Sequence, residues 1–239
     1  MTDASVLEIE GLRFRWPADR TDCLEIAALR VERGEALFLH GPSGCGKSTL
    51  LSLMAGVLTA AEGRVALLGQ DWRDMRPARR DRRRARHVGY VFQQFNLVPW
   101  LSAIDNAVLP CGFSSARAQA AARMAGSPRA QAEALLAAMG LPASACQRAA
   151  ATLSVGQQQR VAAARALIGG PDLVVADEPT SALDEGNRDD FLALLLDACA
   201  ASGSALVFVS HDLSLAGRFS RELALPSINR APRHEAAQA

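Results

Sequence analysis

The stretch "LFLHGPSGCGKSTLLSLMAG", Leu37 to Gly56, decides the fold and holds Lys47, the only lysine among 26 lysines and arginines. An apolar strand, Ala36–Leu39, enters a glycine-rich turn, and the pattern predicts a helix from there through Val57. Glycine lets successive backbone N–H groups converge on phosphate oxygens at the start of that helix. The Lys47 ammonium is a compact charge for the β- and γ-phosphates, which arginine's planar fork replaces poorly. The stretch therefore predicts a phosphate-binding loop.

Four residues of this loop, Gly41, Gly46, Lys47 and Ser48, fit the pattern G-x-x-x-x-G-K-[ST]. In that pattern the hydroxyl of Ser48 is a ligand for Mg²⁺. The alternative is a glycine-rich turn that fits by accident, which ordinary residue usage produces in roughly one chain in a hundred. The strand before the loop and the helix after it lower that chance further.

The composition is that of an ordinary globular protein, with 239 residues, 49% hydrophobic and 21% charged. The formal net charge of +1 argues against a protein that chiefly coats nucleic acid. No apolar run approaches the ~18 residues that cross a bilayer, so we expect any membrane association to be peripheral. The start "MTDASVLEIEG" does not resemble a secretion signal. Five cysteines without a C-x-x-C spacing fit a reducing cytoplasm.

Three regions follow one another along a single predicted domain, 1–239. Residues 1–92 and 153–225 contain apolar strands separated by helices, one of them at Asp189–Ala201, which indicates a parallel sheet covered on both faces. Residues 93–152 are alanine-rich and strand-poor, with helical spacing of Leu135, Leu136 and Met139. The prediction is an α/β core interrupted by a helical subdomain, with a polar, loosely ordered tail over 226–239.

The stretch "LVVADEPTSALD" places Asp177 at the end of a buried strand and Glu178 directly after it. A carboxylate there can hold Mg²⁺ through water, and the next one can orient or deprotonate an attacking water. An isolated Asp-Glu pair at a strand end is usually a solvated loop. Together with the phosphate-binding loop, the pair favours the catalytic interpretation.

A second helix start lies in "LSVGQQQRVAAARAL", Leu153 to Leu167, where Ser154 and Gln157 fit a capping box. The helix is predicted to end before "GGP", residues 169–171. A capped helix start with serine and glycine is also an anion site. Because it cannot easily share a phosphate already wrapped by the first loop, we expect it to meet the nucleotide of a partner copy.

These motifs, followed by His211 in "LVFVSHD", resemble in order and content the ATP-binding cassette (ABC) ATPase subunit of a membrane transporter over residues 6–213. The resemblance implies a P-loop NTPase core with a mainly parallel sheet, an N-terminal antiparallel β subdomain and an inserted α-helical subdomain. It implies ATP and Mg²⁺ as cofactors and a head-to-tail dimer with a second copy or a paralogous subunit. It also implies an integral membrane permease as partner, a peripheral position on the cytoplasmic face of the cell membrane, and no nucleic acid.

The resemblance assigns a role to each matching residue. Glu178 resembles the catalytic carboxylate, His211 the switch histidine, and Gln93 the glutamine that senses Mg²⁺, with Gln94 as the adjacent alternative. Trp16 lies where the family stacks an aromatic ring on adenine, with Phe14 as the competing choice. The implied Mg²⁺ ligands are Ser48, Gln93 and Asp177. The implied nucleotide contacts are Gly41, Pro42, Ser43, Gly44, Cys45, Gly46, Lys47, Ser48 and Thr49 on one side, and Ser154, Gly156 and Gln157 across the dimer. Asp184 matches the segment that links the two sites.

One departure from the family pattern is Val155, where the signature usually has glycine; because Ser154 and Gly156 remain, we expect an intact but slower site. Cys45 is either a redox switch within the loop or a tolerated small residue. The arginine-rich stretch "RPARRDRRRARH", residues 76–87, is either a patch for nucleic acid or anionic lipid or, more commonly, an exposed helix.

The segment "FNLVPWLSAIDNAVLP" after Gln93 resembles the part of a cassette that meets a permease. Its candidate contacts are Phe95, Leu97, Pro99 and Trp100, with local core packing as the alternative. The same segment and "ADEPT" favour the group serving lipoprotein release and macrolide-type export, although "SALD" at 181–184 stands where that group often has "GNLD". Two other classes stay open: a soluble ABC ATPase acting on DNA or ribosomes, and a small-molecule kinase, which leaves "LSVGQQQR" without a role.

Overall fold

Two β-sheets organise the chain in this computed structural model, which describes residues 5–232. The first sheet is antiparallel in the order β2-β1-β4-β5. Its strands are β1 Ser5–Phe14, β2 Leu24–Glu32, β4 Glu62–Leu67 and β5 Gln70–Asp71. Gly63 allows β4 to cross β1 closely, because a Cβ at Gly63 would lie 2.1 Å from the carbonyl oxygen of Gly11. An N-terminal antiparallel sheet is therefore present.

The second sheet is parallel throughout, in the order β6-β7-β8-β3-β9. Its strands are β3 Ala36–His40, β6 Val88–Val91, β7 Leu173–Asp177, β8 Ala205–Val209 and β9 Arg221–Ala224. All of β8 and the first four residues of β7 are buried, as continuous apolar runs require in a sheet covered on both faces. The carboxyl ends of parallel strands share one edge, so the segments after β3, β6, β7 and β8 meet there.

Helices cover the parallel sheet and occupy the segment of chain between β6 and β7. They are α1 Lys47–Met54, α2 Pro77–His87, α3 Ala103–Phe113, α4 Ser115–Ala125, α5 Pro128–Ala138, α6 Val155–Leu167, α7 Glu185–Ser202 and α8 Leu225–Ile228. α7 begins four residues before the predicted Asp189, because the Asp184 side chain accepts a hydrogen bond from the Asn187 N–H at 3.0 Å and caps the helix. α1 ends at Met54, before the predicted Val57.

Two hydrophobic cores lie on the two faces of the parallel sheet. β3 contributes to both, since Phe38 packs into one core while Leu37 and Leu39 pack into the other. The second core includes Trp72, which is 1% exposed and donates its indole N–H to the Met54 carbonyl at 3.2 Å. Burial of a ring of this size stabilises the fold by at least about 1.5–3 kcal/mol. Trp72 thereby ties the end of α1 to the antiparallel sheet.

Residues 93–152 contain α3, α4, α5 and short 3₁₀ turns, and every residue there is described and lies outside strands of either sheet. The division of the chain at 93 and 153 stays a prediction. The predicted loose tail is wrong for residues 226–232: α8 is helical, and Asn229 accepts from the Glu25 N–H at 2.8 Å and donates to the Cys23 carbonyl at 3.1 Å. The rest of that predicted tail, 233–239, lies outside the described residues. Within residues 5–232, no helix is both long and apolar enough for a bilayer crossing.

Candidate active site

The glycine-rich loop joins β3 to α1 and takes backbone angles that favour glycine. Gly44 and Gly46 have φ values of 76° and 100°. A Cβ at Gly46 would also lie 2.8 Å from a methyl carbon of Leu24, so the buried Leu24 side chain would have to shift to accept any other residue there. Lys47, the first residue of α1, donates from Nζ to the carbonyls of Gly41 at 2.8 Å and Pro42 at 3.0 Å. The loop thus holds an ammonium group beside a helix start, which is an anion-binding arrangement.

A cavity of about 510 Å³, which we call the loop cavity, opens beside this loop. It is lined by Trp16, Asp19, Cys23, Ser43, Gly44, Gly46, Lys47, Ser48, Thr49, Gln93, Asp177 and Glu178. Of the other predicted loop contacts, Pro42 and Cys45 line a smaller cavity of about 260 Å³ on the side of the C-terminal segment. Asp19 and Cys23 could not be predicted as lining residues from the sequence, since neither belongs to a recognisable motif.

The two aromatic candidates for the adenine position differ in exposure. Trp16 is 40% exposed and lines the loop cavity, whereas Phe14 is 7% exposed and belongs to the core. Their rings meet edge to face with centroids 5.2 Å apart. Phe14 therefore supports the Trp16 ring from behind, and only Trp16 offers a face to a ligand.

Asp177 ends β7 beside the loop. Burial raises the pKa of Asp177, and the charge of Glu178 adds to this, while the Ser48 hydroxyl and the Lys47 ammonium act in the opposite direction. The Ser48 hydroxyl, the Asp177 carboxylate and the Gln93 amide are hard oxygen donors of the kind Mg²⁺ binds together with phosphate and water. These three residues fit that ion, and Gln93 lines the cavity while Gln94 does not.

Glu178 is held in an uncommon backbone conformation, with φ at 44°. Its N–H donates to the Val209 carbonyl at 3.0 Å, and its own carbonyl accepts from the Ser181 hydroxyl at 3.0 Å. Its carboxylate reaches His211 Nδ1 at 3.3 Å. Left-handed backbone in a non-glycine residue costs of order 1–3 kcal/mol and often marks functional positions. Here it presents a carboxylate to the loop cavity, where it can act as a general base towards water.

The predicted second anion site lies elsewhere. At the start of α6, the Gln157 N–H donates to the Ser154 hydroxyl at 3.3 Å, and the Ser154 N–H donates to the Gln157 side-chain oxygen at 3.1 Å. Ser154, Val155, Gly156 and Gln157 line a separate cavity of about 420 Å³, the signature cavity, which shares no lining residue with the loop cavity. One chain therefore does not bring Ser154 to Lys47.

The segment from Asp177 to Asp184 connects the two cavities. Asp177 and Glu178 line the loop cavity, and Leu183 and Asp184 line the signature cavity. Hydrogen bonds from the backbone and side chain of Asn187 lower the pKa of Asp184, so this carboxylate stays ionised as the cap of α7. The two cavities are thus joined by one continuous segment of eight residues.

An apolar groove of about 540 Å³, not predicted from the sequence, lies between α2, β6 and α3, and we call it the α2–α3 groove. Its aromatic residues are Tyr90 and Phe92, stacked with centroids 4.2 Å apart, and Phe113, which is 76% exposed. Tyr90 and Phe92 alternate along the end of β6 and could have been noticed. Phe113 could not, because its exposure depends on how α3 packs.

None of the four predicted permease contacts lines this groove. Trp100 is 78% exposed and Pro99 is exposed, whereas Leu97 is half-buried. Phe95 is wrong as a surface contact, because it is 7% exposed and packs in the core with Val91 and Ile104.

Comparison with known proteins agrees with these motifs. The family model described as "ABC transporter" matches residues 24–181. The uncharacterized ABC transporter ATP-binding protein YbbA of Escherichia coli (strain K12) is 44% identical over 200 residues, 82% of this chain and 83% of YbbA. The lipoprotein-releasing system ATP-binding protein LolD of Ruegeria sp. (strain TM1040) is 41% identical over 225 residues, 92% of this chain and 94% of LolD. The dimeric, post-hydrolysis structure of the ATP-binding cassette MJ0796 bound to ADP and Pi superposes with a TM-score of 0.80 at 30% identity, covering 95% of this chain and 98% of that one.

Proposed function

Because the chain belongs to the ABC transporter family and is an ATPase, we propose that two copies close head-to-tail around two ATP molecules to drive a separate membrane permease. The observation that carries this proposal is the separation of the loop cavity from the signature cavity within one chain. The loop cavity contains Lys47 and Glu178, and the signature cavity contains Ser154. A head-to-tail pair joins the loop cavity of one copy to the signature cavity of its partner, and the solved cassette MJ0796 is a dimer.

Within such a pair, Lys47 and the loop N–H groups bind the phosphates, and Trp16 stacks on the base. Mg²⁺ held by Ser48, Asp177 and Gln93 would neutralise charge on the β- and γ-phosphates. Glu178 orients and deprotonates the attacking water, and His211 fixes the Glu178 carboxylate through its 3.3 Å contact. Ser154, Gly156 and Gln157 of the facing copy close over the γ-phosphate.

The α2–α3 groove is the surface that we assign to the permease. Arg117 lines it, is 2% exposed, and its Nη2 has no hydrogen-bond partner among residues 5–232. Burial lowers the pKa of Arg117 to about 10. Its Nε and Nη1 donate to the carbonyls of Arg86 at 3.2 Å and Ala166 at 3.4 Å, but no carboxylate among residues 5–232 forms an ion pair with it, so the buried charge is only partly compensated. An apolar segment of the permease that carries an acidic residue would cover the apolar lining of the groove and place a negative charge against Arg117.

The proposed location is the cytoplasmic face of the cell membrane, because the permease holds the cassette there. Within the family, the similarity to LolD supports the group that serves lipoprotein release and macrolide-type export. The transported substrate and the direction of transport belong to the permease.

A complementation experiment tests the shared site. In a Glu178→Gln background, Ser154→Arg blocks the signature cavity and Lys47→Ala disables the loop, so neither variant alone can build a complete site. A mixture of the two can build one, from the lysine of one copy and the serine of the other. We expect ATP-dependent dimers, measured by light scattering after gel filtration, in the mixture and in the Glu178→Gln parent only. Dimers of Ser154→Arg alone as stable as the parent's, or a mixture that stays monomeric, would refute the head-to-tail arrangement.

A further inference from the structure

The exposed side of α2 concentrates positive charge. Residues 76–87 contain seven arginines and one aspartate, a net +6, whereas the whole chain carries only +1. The remaining residues therefore sum to −5, and the charge of the chain is strongly segregated onto one helix. No side chain of α2 is buried.

The seven arginines of residues 76–87 form two sets. Three are half-buried: Arg80, Arg83, which donates to the Leu67 carbonyl at 2.8 Å, and Arg84, which donates to Asp81 at 2.8 Å. The other set has exposed side chains that make no hydrogen bond or ion pair with residues 5–232. This set, which we call the arginine stripe, is Arg76, Arg79, Arg82 and Arg86.

Helical spacing places the stripe along one side of α2 over about 15 Å. The charges of the stripe also repel the neighbouring arginines of α2. Burial is the main cause that lowers the pKa of Arg83, and the positive charges of Arg79 and Arg86 lower it further. An unpaired row of like charges is unfavourable in the free chain, and an anionic surface would relieve the repulsion.

The stripe lies beside the α2–α3 groove, since Arg82 lines that groove. If the groove receives the permease, as proposed above, then the adjoining side of α2 faces the bilayer in which the permease lies. The orientation of the stripe therefore rests on the proposed function, whereas its charge does not.

We propose that the arginine stripe binds the phosphate headgroups of anionic phospholipids and holds this side of the cassette against the membrane. Guanidinium groups bind phosphate oxygens in bidentate fashion, and a straight row on one helix suits a flat surface. Each basic residue near an anionic bilayer contributes about 1 kcal/mol, or about a fivefold gain in binding. The stripe serves attachment and orientation and takes no part in hydrolysis.

Vesicle flotation of the full chain, without the permease, tests this. We expect the chain to float with vesicles containing phosphatidylglycerol at least tenfold better than with pure phosphatidylcholine vesicles, and salt to weaken the difference. The variant R76Q/R79Q/R82Q/R86Q should lose that preference. The control R15Q/R20Q/R123Q/R230Q changes four exposed arginines on other elements by the same total charge and should keep it. Thermal unfolding should be unaltered in both variants, because all eight side chains are exposed.

Three results would overturn the proposal. The parent could bind both vesicle types equally, the stripe variant could retain the preference, or the control could lose it as fully as the stripe variant. Binding of a DNA duplex that depends on the stripe, without a preference for phosphatidylglycerol, would assign the stripe to nucleic acid instead. Each of these results leaves the ATP-dependent dimer untouched, since dimerisation is measured without membranes.

Discussion

His211 Nδ1 lies 3.3 Å from a carboxylate oxygen of Glu178, although the two residues are 33 positions apart. The pairing of the two strands that precede these residues explains why they lie close together. β7 and β8 are parallel neighbours in which Asp177 pairs with Val209, so the residues just beyond those positions emerge at the same edge of the sheet. The His211 side chain is 67% exposed and that of Glu178 is 21% exposed. His211 does not line the loop cavity, so it contacts the more sheltered Glu178 carboxylate from outside that cavity.

Replacing Glu178 by glutamine should separate binding from chemistry. The amide keeps the shape of the side chain but cannot take a proton from water, so we expect ATP turnover to fall by about 10²–10⁴-fold. ATP affinity should stay within a few-fold, because Glu178 does not hold the phosphates. Phosphate release and nucleotide binding measure the two quantities. Turnover at the parent's rate would exclude Glu178 as the base.

Lys47 should tolerate neither alanine nor arginine. Lys47→Ala removes charge-assisted hydrogen bonds worth about 1.5–3 kcal/mol, so ATP affinity should fall at least tenfold. Lys47→Arg keeps the charge, but its planar fork does not fit between the Gly41 and Pro42 carbonyls that now hold Nζ. We expect it to restore less than half of the lost binding free energy. Equilibrium titration with a fluorescent ATP analogue compares the three proteins, and an arginine variant equal to the parent would contradict the requirement for an ammonium group.

Asp177→Asn should stabilise the free chain while it abolishes catalysis. Burial raises the pKa of Asp177, so at neutral pH the folded chain carries an ionised group that is better solvated in the unfolded chain. We expect the variant to gain about 1 kcal/mol in unfolding free energy at neutral pH. As the pH falls below the raised pKa of Asp177 in the folded parent, and then below the ordinary aspartate pKa in the unfolded chain, residue 177 of the parent becomes neutral in both states. The difference in unfolding free energy between variant and parent should then vanish.

Denaturant unfolding at neutral pH and at a pH below the aspartate range would measure this change, provided that both proteins stay folded in the absence of denaturant. A variant that is less stable than its parent at neutral pH would show that the contacts of Asp177 with Ser48 and Lys47 outweigh its burial.

Local sequence was enough to predict the loop and the start of α6. In both cases the residues that fix the backbone, Gly46 and the Ser154–Gln157 pair, lie within a few positions of what they hold. The parallel sheet was also predictable, since continuously apolar strands separated by helices leave few alternatives.

Features that depend on distant packing were missed. For Phe95 the sequence left both a permease contact and core packing open; with φ at 57°, its ring lies in the core. β9 is a polar, short edge strand that forms by pairing with β3, and its residues carry no apolar pattern of their own. The α2–α3 groove likewise exists only after α2 and α3 have packed against β6.

Val155→Gly should speed ATP turnover in the assembled complex. Val155 is 49% exposed and lines the signature cavity beside Ser154, so its branched side chain occupies space next to the group that would close on the γ-phosphate. We expect a rise of a few-fold in turnover. The first turn of α6 should lose up to about 1 kcal/mol of stability, because glycine is a poor helix former. Steady-state phosphate release and thermal unfolding measure the two effects, and unchanged turnover would mean that the valine does not slow the site.

Gly89 should be among the least replaceable residues of the core. A Cβ at this position of β6 would lie 2.2 Å from the Ala166 carbonyl oxygen of α6, and backbone atoms cannot move aside as a flexible side chain can. Gly89→Ala should therefore destabilise the chain by several kcal/mol or displace β6 from α6. Since Gln93 follows β6 directly, a displaced strand would also lower ATP turnover in whatever fraction still folds.

Gly112→Ala is the matched control. Gly112 lies in α3 with nothing within 4 Å of its added Cβ, so the same substitution there should be neutral or stabilise the helix by up to about 1 kcal/mol. Urea unfolding of the two variants beside the parent measures the difference. Equal stability of Gly89→Ala and Gly112→Ala would mean that β6 and α6 do not pack as closely as described, and the position assigned to Gln93 at the loop cavity would then lose its support.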